Sequence, residues 1–205
     1  MTDIDRFFDH IDGCRVRRVR ELLDIKSTFA AAPSPLFSKA AIVLTYANWE
    51  GFYNECTVAY VEFLSGQGRQ VRQTGWTMLT GAFESIFESL RARNHSPEAK
   101  LEFVSEIEGR LDCKFDAFDA SVIKARSNLD FYRLQHNYSL LQFDITPFQR
   151  YRLRIDKELV GWRHSVAHGD APDLSALDAS KHVELAEGLL VLMSDHFQSA
   201  MLRHL

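Results

Sequence analysis

Apolar residues fall into two long seams that only a helix can line up. In the first, Ile42, Tyr46, Trp49, Tyr53, Cys56, Tyr60 and Phe63 recur at alternating spacings of four and three. That heptad-like repeat places them on one stripe. Ala41, Leu44 and Phe52 make the adjoining face apolar too, so this helix is expected at the centre of its bundle. Pro33 breaks the chain before it, Ser34 supplies the cap, Pro35 sits in the first turn, and the helix is expected to reach about Leu64. The second seam comprises Phe148, Tyr151, Ile155, Leu159, Trp162 and Val166, the stripe of a core-facing helix. Thr146-Pro147 predicts its start, with threonine as cap. Gly169 predicts a left-handed stop, and Pro172 keeps the helix from resuming.

Weaker patterns fill the remainder. Asp3 to about Ala31 reads as a helix with Phe7, Ile11, Val19, Leu22 and Leu23 partly in phase and Gly13 weakening its middle. Trp76 to about Ala92 carries Met78, Leu79, Ala82, Phe83, Ile86, Phe87 and Leu90 on one broad face. Ser96-Pro97 opens a helix with Leu101, Val104 and Ile107. Asn128 or Asp130 caps another through Leu141, and Asp178 caps a last one whose stripe is Ala186, Leu189 or Leu190, Met193, Phe197 and Met201. Leu111 to Ser127 fits a short helix or an irregular excursion equally well. With no strand pair and no repeat, the expectation is all-α: a helical bundle of about six helices forming a single domain over 1–205.

Composition narrows the class. Of 205 residues, 46% are hydrophobic and 25% charged, as in a soluble globular protein. A formal net charge of −4 argues against indiscriminate coating of nucleic acid, so any RNA contact needs a local basic patch. Arg15, Arg17, Arg18 and Arg20 form the densest one, readable either as a solvated helix face or as a set of phosphate contacts. Three widely spaced cysteines, Cys14, Cys56 and Cys113, make neither a disulfide framework nor a metal knuckle. No signal peptide and no membrane span are expected, which points to the cytoplasm.

The chemistry is concentrated in Gly161-Trp162-Arg163-His164-Ser165-Val166-Ala167-His168-Gly169-Asp170. At about 100° per residue, Arg163 lies on the flank of the stripe, His168 well round from it and His164 nearly opposite. Packing explains Trp162 and Val166 but none of the three cations. They are either ordinary residues at a helix C-terminus, where the dipole favours positive charge, or functional. His164 and His168 are spaced like two zinc ligands, yet no Glu follows His164 and only Asp170 offers itself as a third donor, so no metal and no cofactor is expected. There is no glycine-rich phosphate loop, and Ser165 lacks the strand–turn–helix setting of a nucleophile.

Arg163, a polar neighbour in His164, and His168 after four intervening residues, closed by Gly169, resemble the signature of the HEPN superfamily. Those are small all-helical domains, many of them metal-independent endoribonucleases. Ala40 to Phe52, with Trp49-Glu50-Gly51-Phe52, is similar to a helix of a stand-alone bacterial branch, the RiboL-PSP-HEPN-like proteins, and Asn128-Leu129-Asp130-Phe131 lies between the two blocks. Many members carry Asn where His164 stands. The resemblance implies RNA cleavage through Arg163 and His168, with His164 and Glu50 in support, in a cleft shared by the two copies of a homodimer. It implies RNA as substrate, a toxin or anti-phage role, and an antitoxin or defence-system partner protein. It also suggests Arg163 as the partner that the Glu50 carboxylate needs. The other reading is an inactive RNA-binding or protein-interaction module of the same fold.

Overall fold

The central element is α2, Pro35–Gly66, and its composition explains why. The computed structural model describes residues 3–31, 34–116, 118–125, 128–170 and 178–203. Ile42, Tyr46, Trp49, Tyr53, Cys56, Tyr60 and Phe63 are all buried, so the whole expected seam faces the core. Ala41 and Phe52 join them, while Leu44 is half exposed. The Ser34 side chain accepts the Phe37 N–H at 3.2 Å, as its position predicts.

Two long helices flank α2: α1, Asp3–Ala31, and α9, Ala179–Leu202, at the far end of the chain. In α1 the buried set is Phe7, Ile11, Cys14 and Leu22; Leu23 faces outward, and the helix runs unbroken through Gly13. In α9 the expected stripe holds throughout, and Asp178 caps the helix by accepting the Lys181 N–H at 3.1 Å. Rings from α2, α9 and the chain after residue 142 meet edge to face: Phe143, Phe197 and Tyr60 stack at 5.0–5.9 Å.

Between α2 and α9 the chain makes shorter pieces. The helix expected from Trp76 to Ala92 is divided: a 3₁₀ turn, Trp76–Met78, then α3, Leu79–Ala82, then α4, Glu84–Ala92, with Phe83 out of helical geometry at φ −112°, ψ 12°. Helix α5, Pro97–Leu111, begins on the Ser96 cap as expected. Its stripe differs, however: Leu101 and Val104 are 75% and 62% exposed, and the buried edge runs through Ala99 with Phe103 and Ile107 half-buried. After α5 the described residues as far as Ala125 are largely irregular, with a 3₁₀ turn at Ala120–Val122 capped by Asp119. Phe118 packs against Gly81, where a Cβ would lie 2.1 Å from its ring. Asp130, not Asn128, caps α6, Phe131–Leu141, accepting the Arg133 N–H at 2.7 Å. Pro33, Ser127 and the turn expected at 171–173 lie outside the described residues.

The motif run is helical from Thr146 to Ala167 but not uniformly α. It starts as a 3₁₀ turn, Thr146–Tyr151, passes through α7, Arg152–Arg154, widens into a π-helix at Ile155–Gly161 and ends as α8, Trp162–Ala167. Thr146 does not cap it; the Asp144 carboxylate accepts the Thr146 N–H instead, at 2.9 Å. Phe148, Ile155 and Leu159 are fully buried, whereas Tyr151, Trp162 and Val166 are half-buried.

His182 on α9 is 2% exposed, stacks 5.5 Å from Trp162, and among the described residues neither ring nitrogen has a hydrogen-bond partner. Burial pushes its pKa down to about 4; Glu158 opposes the shift and Arg154 adds to it. The folded state therefore holds His182 neutral while the unfolded chain takes up its proton first as pH falls. Stability from this group is complete above about pH 6.5 and declines as pH drops toward 4, by about 3 kcal/mol in all. Urea unfolding of His182→Leu and the parent across pH 4–8 checks this: the variant should lose less stability on acidification and be no less stable at pH 8. Parallel pH curves would refute it.

Candidate functional site

Residues 123–125 and 128–130 form a strap along α2, held by the polar tips of the α2 seam. Tyr53 donates its hydroxyl to the Ile123 carbonyl at 2.6 Å, and Asn54 accepts the Ala125 N–H at 3.0 Å. One turn back, Trp49 Nε1 donates to the Leu129 carbonyl at 3.1 Å while the Tyr46 hydroxyl accepts the Leu129 N–H at 2.8 Å. Leu129 is fully buried, so both halves of its peptide environment are satisfied by side chains of α2. From the other side, Asp156 in the π-helix accepts the Phe131 N–H at 2.8 Å.

The strap delivers Asn128 to Arg163. Arg163 Nη1 donates to Asn128 Oδ1 at 3.1 Å, and the guanidinium lies over the Tyr46 ring, 4.8 Å from its centre. A planar cation is thus gripped from its edge and its face. Burial first, and the Glu50 carboxylate beside its hydroxyl second, keep the Tyr46 phenol protonated far above its ordinary range. The expected ion pair between Glu50 and Arg163 is not what forms. Tyr46 neighbours both, with Glu50 beside its hydroxyl and the guanidinium over its ring, and the neutral Asn128 takes the bond. Glu50 is half-buried and still has water on one side, so it needs no full counter-charge.

The two histidines occupy the open end of α8. Gly169, at φ +79°, closes the helix: its N–H bonds to Val166 O at 3.2 Å and the Asp170 N–H to Ser165 O at 2.9 Å. Those two bonds form a Schellman end, which fixes His168 as the C-cap residue just past α8. His164 and His168, one turn apart, are both exposed, with ring centres 4.2 Å apart and planes at 48°. Arg163 is therefore held and half-buried while both imidazoles face solvent. Among the described residues no group of three His, Cys, Asp or Glu is placed to hold a metal ion.

The basic cluster of α1 lies elsewhere and is largely occupied. Arg17 and Arg18 share Glu55 of α2 at 2.5 and 2.7 Å, Arg18 also reaches Asn48 at 3.5 Å, and Arg15 pairs with Asp12 at 2.9 Å. Arg20 is exposed. The pattern of four arginines thus reads mainly as a clamp between α1 and α2. Gly51 belongs to it: a Cβ there would lie 2.6 Å from Arg18 Nη2, so glycine is what allows the guanidinium to cross α2. Within Trp49-Glu50-Gly51-Phe52, then, Trp49 and Phe52 fill the core, Glu50 holds Tyr46 and Gly51 admits Arg18. Sequence reasoning missed Asn128 and Tyr46 as the ligands of Arg163; the signal was the place of Tyr46 in the Ala40–Phe52 block and of Asn128 in the stretch between that block and the motif.

Tyr46→Phe leaves the buried Leu129 N–H without an acceptor, so it should destabilise the fold by about 1–3 kcal/mol. Glu50→Ala removes only a half-exposed acceptor and should cost less, near 1 kcal/mol. Urea denaturation of both variants tests the order; a larger loss in Glu50→Ala would mean that Glu50 is paired directly with the guanidinium.

No curated protein and no solved structure matches this chain. The family model described as RiboL-PSP-HEPN matches residues 15–199, a span that takes in α2, the strap, the motif helix and nearly all of α9. With its all-helical fold and that match across most of its length, the chain belongs to the RiboL-PSP-HEPN family.

Proposed function

We propose that the protein is a metal-independent endoribonuclease that cleaves RNA by internal transesterification. The supporting observation is one guanidinium, Arg163, immobilised by Asn128 and Tyr46 on the same short helix that presents His164 and His168 to solvent.

In the proposed reaction the ribose 2′-hydroxyl attacks the adjacent phosphorus. A base takes the 2′-proton, the bond to the 5′-oxygen breaks, and an acid protonates that leaving oxygen. Imidazole can act in either sense near neutral pH. The fixed fork of Arg163 binds the non-bridging oxygens, whose charge grows in the transition state, and needs little reorganisation to do so. His168 is assigned proton transfer, with His164 secondary; Glu50 acts at one remove, by orienting Tyr46. One copy of the motif offers a single anchored cation. A homodimer facing two motifs across one cleft would supply a second set, and that is the assembly we propose. A soluble, cytoplasmic toxin or anti-phage effector restrained by an antitoxin or defence partner is the setting this activity suits. No described helix is long and apolar enough to cross a membrane.

His168→Ala should lower RNA cleavage by about 10²–10⁴-fold with an unchanged circular dichroism spectrum. Arg163→Lys should lose comparable activity because an ammonium cannot reproduce the fork, whereas His164→Asn should keep much of it. Products should end in 5′-hydroxyl and 2′,3′-cyclic or 3′-phosphate, and EDTA should leave the rate unchanged. Full activity in His168→Ala, or loss on EDTA treatment, would sink the mechanism. RNA binding without turnover would instead identify an inactive RNA-binding module. Light scattering at micromolar concentration should give the dimer mass; a monomer would overturn the shared-cleft arrangement.

A further inference from the structure

Two arginines of the motif run reach one short segment from its two ends. Arg163 donates to Asn128 at 3.1 Å, and Arg152 stands over the Phe131 ring, 5.8 Å from its centre. Between them Asp156 accepts the Phe131 N–H at 2.8 Å. Side chains at 152, 156 and 163 thus share the face of the run that meets residues 128–131. Eleven positions separate the arginines, about 16 Å of helix at 1.5 Å per residue. Asn128 and Phe131 lie at most about 10 Å apart along the chain. The two guanidiniums therefore bracket the segment.

The run that carries them is a basic part of an acidic protein. Residues 147–168 hold five Lys or Arg against two Asp or Glu, although the whole chain has a formal net charge of −4. Both acids are engaged locally: Asp156 takes the Phe131 N–H, and Glu158 holds Arg154 through two bonds of 2.8 Å. Arg152 is exposed, and resting on a ring face uses none of its N–H donors. Beside Phe131, Tyr132 is 76% exposed, more than any other large apolar side chain among the described residues. The Asp130 cap and the Asp156 bond fix the backbone beneath that ring. The arginines of α1, by contrast, are mostly spent on Glu55 and Asp12.

We propose that single-stranded RNA reaches the motif along residues 128–132, with a phosphate neighbouring the scissile one held by Arg152 and a base stacked on Tyr132. The inference rests on RNA being the substrate of the Arg163 site, and it names which form of RNA that site takes. A guanidinium binds a phosphate through paired donors. An exposed ring takes a base only when that base is free of its own stack, which selects single strand over duplex. Stacking tolerates any base, so this surface sets the form of the substrate and not its sequence.

The probe is a fluorescently labelled single-stranded RNA of about 12 nucleotides and mixed sequence. It is titrated into the full chain carrying His168→Ala and followed by anisotropy, so that cleavage plays no part. Tyr132→Ala in that background should weaken binding about tenfold or more, and Tyr132→Phe should keep it. Arg152→Gln should weaken binding and lower the slope of log affinity against log salt by about one, while Arg20→Gln on α1 should change neither. A duplex of the same sequence should be indifferent to Tyr132→Ala. Should Arg152→Gln fail to fold, amide shift mapping decides: bound RNA should move Leu129, Tyr132 and Arg152 and leave Arg20 in place. No binding of the single strand, unaltered affinity in Tyr132→Ala, or shifts centred on Arg20 would overturn the proposal. The ribonuclease reading fails separately. A parent that binds RNA along this surface without cutting it keeps the surface and loses the catalysis. A parent that cuts as fast after both substitutions keeps the catalysis and loses the surface.

Discussion

The arrangement of the site depends on how one buried peptide is satisfied. Leu129 lies in the core, where an unpartnered N–H or C=O would cost as much as the loss of a hydrogen bond or more. Tyr46 and Trp49 answer it from α2, each with the polar tip of a ring whose body is already part of the hydrophobic seam. The same two side chains therefore close the core and locate the strap. Once Leu129 is fixed, Asn128 is fixed one residue earlier, and the Arg163 guanidinium takes its edge contact from Asn128 and its face contact from Tyr46. Core packing and placement of the motif cation are thus one constraint.

Periodicity made much of this legible. The α2 seam, the α9 stripe and the caps at Ser34, Ser96, Asp130 and Asp178 are local features, and local chemistry decides them. Gly169 as a left-handed stop belongs to the same class. The illegible parts are set by contacts between distant residues. Nothing near Arg17 and Arg18 announces that Glu55, on another helix, will hold both. Nothing near Glu50 shows that Tyr46 will intervene between it and Arg163. Helix α5 shows a further limit. Leu101 and Val104 have helical spacing, but the bundle meets that helix along Ala99, Phe103 and Ile107, and apolar residues left outside the contact stay exposed.

Rigidity and exposure are divided in an orderly way across the motif. Arg163 is held by two neighbours and half-buried, which limits the freedom it would have to lose on gripping an anion. His164 and His168 remain exposed at a helix end whose backbone is nevertheless tied off by two hydrogen bonds. The imidazoles can therefore exchange protons with solvent while their Cα positions stay fixed. Trp162, stacked on His182, ties the start of the same helix to α9.

The π-helical stretch Ile155–Gly161 gives this helix a memory of its length. A π turn is equivalent to one surplus residue accommodated within an α-helix. Arg163 and His168 lie downstream of that surplus, while Ile155 and Leu159 lie within it and are held by the core. The surplus lets the motif keep its angle to the core although one more residue separates them than an α-helix would need. Loss of a single codon from this stretch would therefore be absorbed, relaxing it to α geometry with the motif near its present angle, whereas an equal loss from an all-α helix would turn everything downstream by about 100° about the helix axis. The guanidinium could then keep facing Asn128 while Ile155 or Leu159 gave up its place in the core.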